Sequence, residues 1–384
     1  MEFSRKKFKL IHTVPSIKNR SAGPSYSIMK ICDNLNFKKY NLKLATLDNE
    51  INFPSFHFGF KRSFGPQKMG FSANMKKWLI DEASISQTII HTHSLWMMPN
   101  VYPSWVKKYS HNTKVIISPR GTLSNWSLRR SYYKKYLYSL LFQNNALKSA
   151  DVFHATAENE YNDIRRLGFR QPIAIIPNGV DVKLSNFNFN KKKNRILFLS
   201  RIHPKKGILE LLYSWKNISN IFLDWHLDIA GPDNDGYLNE MINLSNKLKL
   251  KNVSFLGPLY DENKEKKYLE SKIFVLPSHS ENFGMVIAEA LSYGLPVITT
   301  KNTPWNLLAK KNAGECIDLS VNNLTNSILM HINKPDEELK LMGKNSIYWM
   351  KNEYDWTEIT NKFILLYDWL LDKKLPIPEF IKTN

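Results

Sequence analysis

Short apolar segments alternate with helix-like segments along this chain, in two successive series. Near-continuous apolar runs of this length are typical of buried parallel strands joined by helices. We therefore predict two doubly wound α/β domains of Rossmann type that face each other across a cleft. The predicted strands are FKLIHTV (8–14), TIIHTH (88–93), KVIISP (114–119), VFHAT (152–156) and PIAIIP (172–177), then RILFLS (195–200), LDWHLDIAG (223–231), VSFLG (253–257), IFVLPS (273–278), PVITT (296–300) and GECIDL (314–319).

The polar stretch between the two series sets the predicted domain boundaries. We predict a first domain over 1–180, a linker over 181–194 and a second domain over 195–352. The remaining segment, 353–384, carries apolar residues at helical spacing in WTEITNKFILLYDWLL. A chain of 384 residues also exceeds what one hydrophobic core usually holds.

Cysteine usage and hydropathy predict a cytoplasmic protein. Cys32 and Cys316 are far apart and form no CxxC pattern, which argues against a disulfide framework or a cysteine zinc site. The N-terminus lacks the apolar core of a signal peptide, and no apolar run is long enough to span a membrane.

The net charge of +20 indicates an anionic partner. No acidic residue occurs between Glu82 and Asp151, and within this window LRRSYYKKYLYSLLF (128–142) interleaves cations with Tyr and Leu. One interpretation is a solvated helix whose Tyr and Leu side chains face the core. The other is a surface that meets acidic lipid headgroups. The candidate membrane-binding cations are Arg129, Arg130, Lys134 and Lys135.

The segment SRIHPKKG (200–207) is a candidate anion site. It follows a predicted strand and opens a helix, so unpaired backbone amides and the positive end of the helix dipole favour an anion. Arg201 can bind a phosphate through two parallel hydrogen bonds, and Lys206 adds a point charge. Two solvated cations near a helix start are the alternative.

The segment SHSENFGMVIAEALSYGLPVITT (278–300) carries two glutamates eight positions apart. We predict that Glu281 lies in a loop, that a helix begins near Gly284, and that Glu289 lies on this helix. A carboxylate in that place can bind two vicinal hydroxyls, and the amides of 282–285 can bind further oxygens. The alternative is a Glu281 favoured by the helix dipole and a Glu289 on the solvent face.

Polar residues also follow predicted strands of the first domain. His91 and His93 are two apart on a strand end, so their side chains face the same side. A metal site is conceivable, but the sequence shows no third ligand, so we predict none. We interpret His91 as structural and His93 as functional. Arg120 is a candidate for binding a phosphate, with a structural ion pair as the alternative.

Four of these segments together resemble glycosyltransferase family 4, whose members are retaining enzymes with the GT-B architecture. ENFGMVIAE is similar to the family's E-x7-E motif, and LSRIHPKKG to its Arg–Lys diphosphate signature. PNGVD (177–181) resembles the interdomain turn, and HTHSLW (91–96) an active-site loop of the first domain. The resemblance implies donor binding by the second domain, acceptor binding by the first, no metal, and a last helix that packs back on the first domain.

The resemblance also implies roles for individual residues. Arg201 and Lys206 would hold the donor diphosphate, and Glu289 the ribose hydroxyls. Glu281, with the backbone around Gly284, would hold the transferred sugar. The catalytic set is then His93, Arg201, Lys206 and Glu281, with Arg120 and Trp96 binding the acceptor. The donor-binding set is Gly23, Arg201, Lys206, Glu281, Asn282, Phe283, Gly284, Met285 and Glu289.

Two positions depart from the family pattern. The first loop, NRSAGPS, has Ala22 before Gly23 where the family often has paired glycines. Ser200 stands before the diphosphate arginine where the family often has glycine. The first departure, Ala22, lies in the loop where the family's first domain contacts phosphate.

The predicted function is therefore metal-independent, cofactor-free, retaining glycosyl transfer from a UDP- or GDP-linked sugar. The acceptor would be a glycan on polyprenyl diphosphate at the inner face of a bacterial membrane, in lipopolysaccharide, O-antigen or capsule synthesis. One alternative is a nucleotide-sugar epimerase of the same architecture. Another is a basic nucleic-acid-binding protein, although no recognisable binding module is present, and we predict no nucleic-acid partner.

Overall fold

The computed structural model describes residues 8–18, 23–37, 41–49, 54–182 and 188–383. The chain divides into two compact units. The first comprises Met1–Asn178 together with Trp356–Asn384, and the second comprises Gly179–Asp355. The prediction instead placed a linker over 181–194. In the structure that range includes the start of a strand at Lys193, and 183–187 lie outside the described residues.

The first unit alternates strands and helices, as predicted. Its strands are β1 (Lys9–Thr13), β2 (Asn41–Thr46), β3 (His57–Gly59), β4 (Thr88–His93), β5 (Thr113–Ser118), β6 (Val152–Ala155), β7 (Ile173–Ile175) and the C-terminal β14 (Ile381–Lys382). Its helices are α1 (Gly23–Phe37), α2 (Ala73–Ile85), α3 (Met98–Tyr109), α4 (Asn125–Arg129), α5 (Tyr132–Tyr138), α6 (Asn144–Lys148), α7 (Glu158–Arg166) and α14 (Trp356–Leu371). A π-helical turn, Ser139–Gln143, joins α5 to α6.

The described strands of the first unit form one sheet in the order β14-β7-β6-β5-β4-β1-β2-β3. All neighbouring pairs are parallel except β14 with β7. The strand order reverses between β1 and β4, which are hydrogen-bonded neighbours. Ligands of such sheets bind beyond the carboxyl ends of the strands at this reversal.

Helix α14 belongs to the first unit and covers its sheet together with α1. Its buried residues include Ile359, Phe363 and Tyr367, which recur at helical spacing. They pack in one core with Leu10 of β1 and Ile28 of α1. The C-terminal helix of the chain therefore packs on the N-terminal domain.

The second unit is a second parallel α/β sheet. Its described strands run in the order β10-β9-β8-β11-β12-β13, all parallel, with the reversal between β8 and β11. The strands are β8 (Lys193–Leu199), β9 (His226–Ala230), β10 (Val253–Phe255), β11 (Ser271–Leu276), β12 (Val297–Thr300) and β13 (Gly314–Ile317). The helices are α8 (Ile208–Ile218), α9 (Tyr237–Lys247), α10 (Asp261–Glu270), α11 (Met285–Ser292), α12 (Val321–Ile332) and α13 (Asp336–Glu353).

These two sheets confirm the predicted fold class of two doubly wound α/β domains. Among the helices that the structure describes, none is both long enough and apolar enough to cross a membrane.

Candidate active site

Two loops of the second unit lie side by side at its sheet reversal, one after β8 and the other after β11. The carbonyl oxygen of Lys205 accepts hydrogen bonds from the His279 amide at 2.8 Å and from the Ser278 hydroxyl at 3.1 Å. Gly207 has φ 71°, and a Cβ there would lie 1.9 Å from the Pro277 carbonyl oxygen. Glycine is required here because only it allows both the left-handed backbone and the close approach.

The central contact of this site is an ion pair between Lys206 and Glu281, one residue from each loop. Their side chains are only 10% and 11% exposed. Lys206 ends a short 3-10 turn just before α8, and Glu281 lies shortly before α11. The two residues were predicted to bind different parts of one ligand, and the structure brings them into direct contact.

The loop that carries Glu281 is fixed by the segment after β12. The Glu281 amide donates to the Asn302 carbonyl oxygen at 3.2 Å. The indole of Trp305 donates to the Phe283 carbonyl oxygen at 2.6 Å. Gly284, with φ 79°, then caps α11, so the predicted start of this helix is right to one residue. The first amides of α11 point out of the helix end because they have no intrahelical acceptor.

Arg201 lies at the carboxyl end of β8 and is exposed. Within the described part of the chain it has no hydrogen-bond or ion-pair partner. Lys205, in the same loop, is partly buried, and burial lowers the pKa of its amine. Lys205 and Lys206 thus lie close to Glu281, and Arg201 lies near Lys205, so this loop carries excess positive charge.

Glu289 lies on α11 and faces α10, not open solvent. Its carboxylate accepts a hydrogen bond from the Tyr268 hydroxyl at 2.9 Å and pairs with Lys264 at 2.7 Å. Burial, with the charge of Glu289 beside it, raises the pKa of Tyr268 well above its usual value. A ligand that binds Glu289 must therefore share its oxygens with these two residues or displace Lys264.

The first unit has its own polar cluster at the reversal between β1 and β4. His12 of β1 and His91 and His93 of β4 are fully buried, and their nearest ring nitrogens lie within 4.8 Å of one another. The rings of His91 and His93 stack at 4.2 Å, so the two side chains do face the same side, as predicted. The sequence showed no third histidine for this group, and the structure supplies His12.

The three histidines are nevertheless a poor set of metal ligands. His12 Nδ1 and His93 Nε2 hydrogen-bond to each other at 2.8 Å. Both nitrogens of His91 have protein partners, the Tyr367 hydroxyl at 3.0 Å and the Ser118 hydroxyl at 2.7 Å. A guanidinium nitrogen of Arg120 lies 3.2 Å from His93 Nδ1. A divalent cation would have to displace these hydrogen bonds and sit beside a fixed positive charge.

Arg120 follows β5 in a left-handed conformation, with φ 56°. It hydrogen-bonds to the Asn178 side-chain oxygen at 2.7 Å as well as to His93. In the described ranges no carboxylate lies within ion-pair distance of it, and its Nε has no partner. The structural ion pair considered from the sequence is therefore not found there. Burial lowers the pKa of Arg120 to about 10, which leaves it charged at neutral pH.

The loop after β4 has an unusual backbone. Ser94 and Trp96 have φ 75° and 71°, and such strain in non-glycine residues is concentrated at functional sites. The Trp96 amide donates to the Gln143 side-chain oxygen at 3.0 Å, and Gln143 ends the π-helical turn. Among the described residues the buried indole nitrogen of Trp96 has no partner. Trp96, which is predicted to bind the acceptor, thus lies in a loop that is hydrogen-bonded to the π-helical turn.

The predicted membrane segment presents its large side chains to solvent. Tyr133 is 85% exposed and Leu140 63%, so the interpretation in which these residues face the core is wrong. The exposed face also includes Trp126, Tyr132, Tyr136, Leu137 and Leu141. Arg129, Arg130 and Lys134 are exposed on the same segment.

Lys135 does not belong to this exposed surface. It donates to the Ser127 carbonyl oxygen and lies 5.6 Å from the centre of the Trp96 ring. Burial lowers the pKa of its amine. The local turn at Ser131, which has φ 59°, breaks the helix between α4 and α5 and directs Lys135 inward.

Gly23 is the first residue of α1. The loop before it, including Ala22, lies outside the described residues.

Two family models match consecutive parts of the chain. Glycosyltransferase Family 4 matches residues 38–184, and Glycosyl transferases group 1 matches residues 181–347. The first match falls mainly on the first unit and the second on the second unit.

Curated relatives are distant. A glycosyltransferase of Methanocaldococcus jannaschii is 26% identical over 317 residues, 76% of each chain. A GDP-mannose:cellobiosyl-diphosphopolyprenol alpha-mannosyltransferase of Xanthomonas oryzae pv. oryzae is 23% identical over 74% of each chain. A glycosyltransferase of Haemophilus influenzae is 25% identical over 192 residues, and this chain spans about half of its length, 51%.

Solved structures agree with the chain over nearly its whole length. A sucrose-phosphate synthase of Thermosynechococcus elongatus has a TM-score of 0.72 at 19% identity and covers 95% of this chain and 100% of its own. HepE of Anabaena, in complex with UDP-glucose, has a TM-score of 0.70 at 15% identity, with 94% and 99% covered. WaaG, a glycosyltransferase involved in lipopolysaccharide biosynthesis, has a TM-score of 0.67 at 13% identity, with 93% and 99% covered.

Fold and sequence together define the class: the chain is a glycosyltransferase with the GT-B fold. Within that class its sequence matches the Glycosyltransferase Family 4 model and then the Glycosyl transferases group 1 model. The resemblance stated from the motifs is confirmed at this level.

Proposed function

We propose that this protein is a retaining, metal-independent glycosyltransferase that takes a sugar from a UDP- or GDP-linked donor. One observation carries the proposal: the nearly buried Lys206–Glu281 pair lies at the reversal of the second sheet, between two helix N-termini. Cations at a helix start suit a diphosphate, and a carboxylate beside them suits sugar hydroxyls.

The donor would occupy the two loops of the second unit. Arg201, which has no partner among the described residues, and Lys206 bind the diphosphate. Glu281 and the backbone of 283–284 bind the transferred sugar, and the backbone of Asn282 and Met285 is the proposed contact of further oxygens. Glu289 binds the ribose hydroxyls. The UDP-glucose complex of HepE supports a nucleotide-sugar donor for a chain of this fold.

The chemistry would be attack on the same face of the sugar from which the diphosphate leaves. The acceptor hydroxyl gives its proton to the leaving phosphate oxygen as the new glycosidic bond forms and the old one breaks. The residues of the site supply positioning and charge stabilisation. His93 is the proposed contact of the sugar in the first unit, and Arg120 and Trp96 are the proposed acceptor contacts.

The acceptor would be an oligosaccharide on polyprenyl diphosphate at the inner face of a bacterial membrane. The Xanthomonas relative is named for an acceptor of this kind, cellobiosyl-diphosphopolyprenol. WaaG is involved in lipopolysaccharide biosynthesis. A role in lipopolysaccharide, O-antigen or capsule synthesis follows. Arg120 is buried and makes no ion pair with a described carboxylate, although the nearby charge of Glu160 favours its cationic form, and such a cation suits an anionic acceptor.

Glu289→Gln should weaken nucleoside-diphosphate binding about tenfold to a hundredfold, because hydrogen bonds to a charged group contribute roughly 1.5–3 kcal/mol. Calorimetric titration of UDP and GDP measures this. Glu262→Gln is the matched control, since it makes the same chemical change at an exposed residue of α10. Equal affinities of wild type and Glu289→Gln would disprove the ribose assignment.

The exposed face of α4 and α5 would hold the protein at the membrane. Its tyrosines and leucines enter the headgroup boundary while its cations meet anionic lipid. Replacing Arg129, Arg130 and Lys134 by Gln should weaken binding to anionic vesicles on the order of 100-fold, since each charge contributes about 1 kcal/mol near the surface. Lys135 is left in place because it faces inward.

Co-sedimentation with vesicles at low salt measures this effect. The control replaces Lys216, Lys247 and Lys251, three exposed lysines of the second unit, and should bind as wild type does. Turnover with a water-soluble acceptor should survive in both variants. Equal vesicle binding by the two triple variants would rule out this face as the membrane contact.

A further inference from the structure

Four histidines are buried in one hydrogen-bonded cluster of the first unit. His12, His91, His93 and His154 are all 0% exposed. Each uses both ring nitrogens in hydrogen bonds to protein groups, so the position of every proton can be derived from the partners. A neutral imidazole donates through one nitrogen and accepts through the other.

The first end of the cluster is Arg120, which can only donate. Its guanidinium lies 3.2 Å from His93 Nδ1, so Nδ1 accepts and the proton of His93 lies on Nε2. His93 Nε2 then donates to His12 Nδ1 at 2.8 Å. The proton of His12 must lie on Nε2, which faces the Tyr367 hydroxyl at 3.4 Å.

The second end is the carbonyl oxygen of Ile176, which can only accept. His154 Nε2 donates to it at 2.8 Å, so His154 Nδ1 accepts from the Ser118 hydroxyl at 2.6 Å. The Ser118 oxygen in turn accepts from His91 Nε2 at 2.7 Å. His91 Nδ1 is then an acceptor and faces the Tyr367 hydroxyl at 3.0 Å.

The two derivations are independent, and they meet at one group. From the Arg120 end Tyr367 must accept, from His12, and from the Ile176 end it must donate, to His91. A hydroxyl can do both at once. Reversing the direction would set an N–H of Arg120 against an N–H of His93 and leave the Ile176 carbonyl without its donor.

We propose that Tyr367 is a positioning residue for His93, because its hydroxyl holds His12, the ring to which His93 donates, and joins two hydrogen-bonded halves whose outer ends, Arg120 and the Ile176 carbonyl, set all four buried histidines as neutral Nε2–H tautomers. The order of donation is Arg120, His93, His12, Tyr367, His91, Ser118, His154 and the Ile176 carbonyl. The role in transfer rests on the proposed function of His93, whereas the proton assignment does not.

Neutral histidines are also what the surroundings favour. Burial, together with the charge of Arg120, lowers the pKa of His12 and of His154 from 6.5 to about 3. Burial and the neighbouring histidines hold the pKa values of His91 and His93 well below their usual range. No histidine of this hydrogen-bonded cluster therefore has to be charged at neutral pH.

Nitrogen-15 NMR of histidine-labelled full-length protein tests the assignment at neutral pH. Four histidines should show a protonated Nε2 and an unprotonated Nδ1. Tyr367→Phe removes only the hydroxyl, so all four tautomers should persist, whereas the Nε2–H signal of His12 and the Nδ1 signal of His91 should shift because each loses its partner. Phe363→Leu is the matched control on the same helix, since Phe363 packs on His91 and His154 without donating, and should leave all four signals in the wild-type pattern.

A protonated Nδ1 on any of the four in the wild type would overturn the proposal, as would unchanged His12 and His91 signals in Tyr367→Phe. If Tyr367→Phe does not fold, Ser118→Ala breaks the chain at a second point and should shift the Nε2 signal of His91 and the Nδ1 signal of His154. In a transfer assay Tyr367→Phe should lower kcat and leave the donor KM unchanged. Shifted His12 and His91 signals with full kcat would refute the link to His93 while keeping the proposed function.

Discussion

Arg201→Ala should lower turnover about 100-fold to 1,000-fold, the loss that follows removal of one preorganised charge donor, roughly 3–4 kcal/mol. Negative charge grows on the diphosphate as the glycosidic bond breaks, so the contact strengthens in the transition state and its loss appears in kcat. Arg201→Lys should recover little, because a point charge cannot reproduce two parallel hydrogen bonds. Steady-state consumption of a labelled donor measures both variants.

The structure makes Arg201 a clean position for this test. Its side chain is exposed and has no hydrogen-bond or ion-pair partner in the described part of the chain, so the melting temperature should not change. Lys216→Ala, an exposed cation elsewhere in the second unit, should keep full turnover. Near-normal turnover of Arg201→Ala would refute its assignment. A wild type inhibited by chelator and restored by Mg²⁺ would refute the metal-independent mechanism.

The first unit should lose about 5 kcal/mol of stability between pH 7 and about pH 5.5, a large part of the usual stability of a domain. The unfolded chain protonates its histidines below about pH 6.5, whereas the four buried ones stay neutral when folded. Unfolding therefore takes up protons, and stability falls as the pH falls through this window. Each histidine contributes roughly 1 kcal/mol.

Urea unfolding at several pH values, followed by hydrogen exchange of β1 and β4, measures this dependence. The slope should rise from about one proton taken up on unfolding near pH 7 to nearly four, about 3.6, near pH 5.5. His111→Gln changes an exposed histidine of the same unit and should leave the contribution of the buried histidines unaltered. A slope of about one proton or fewer near pH 5.5 would mean that the buried histidines are already charged in the folded protein.

The sequence predicted the central strands of both sheets well, because these are buried on both faces and read as continuous apolar runs. The segment TIIHTH coincides with β4, and WTEITNKFILLYDWLL with α14. The strands that were missed are β2, β3 and β14. β3 and β14 lie at the two edges of the sheet and have only three and two residues, so neither has an apolar pattern that separates it from a loop. β2, NLKLAT, has six residues, but polar residues interrupt its apolar ones, so it does not form a continuous apolar run.

The candidate site was predicted from motifs, but its contacts were not. That Glu289 pairs with Lys264 depends on how α10 packs beside α11, which no local pattern in DENKEKKY indicates. That His12 joins His93 depends on β1 and β4 being neighbours across the sheet reversal. A histidine within the apolar run KLIHT was the one available signal, and it was not used.

The prediction for the basic segment 128–142 was limited in the same way, because spacing in the sequence does not show which side chains face inward. Spacing alone placed Lys135 with three other cations, whereas the turn at Ser131 directs it onto Trp96. Most tyrosines and leucines of α5 and the π-helical turn are exposed because no other element of the described first unit covers them, whereas Tyr138 is buried.

Anomeric proton NMR of the full chain with UDP- and GDP-sugars and an acceptor tests the central claim most directly. At least one donor should release its nucleoside diphosphate, with the sugar moved to the acceptor in the donor's own anomeric configuration. Arg201→Ala should slow that release and Glu289→Gln should weaken donor binding. A sugar isomerised while still attached to its nucleotide, an inverted product, or no binding of any nucleoside diphosphate would contradict the account.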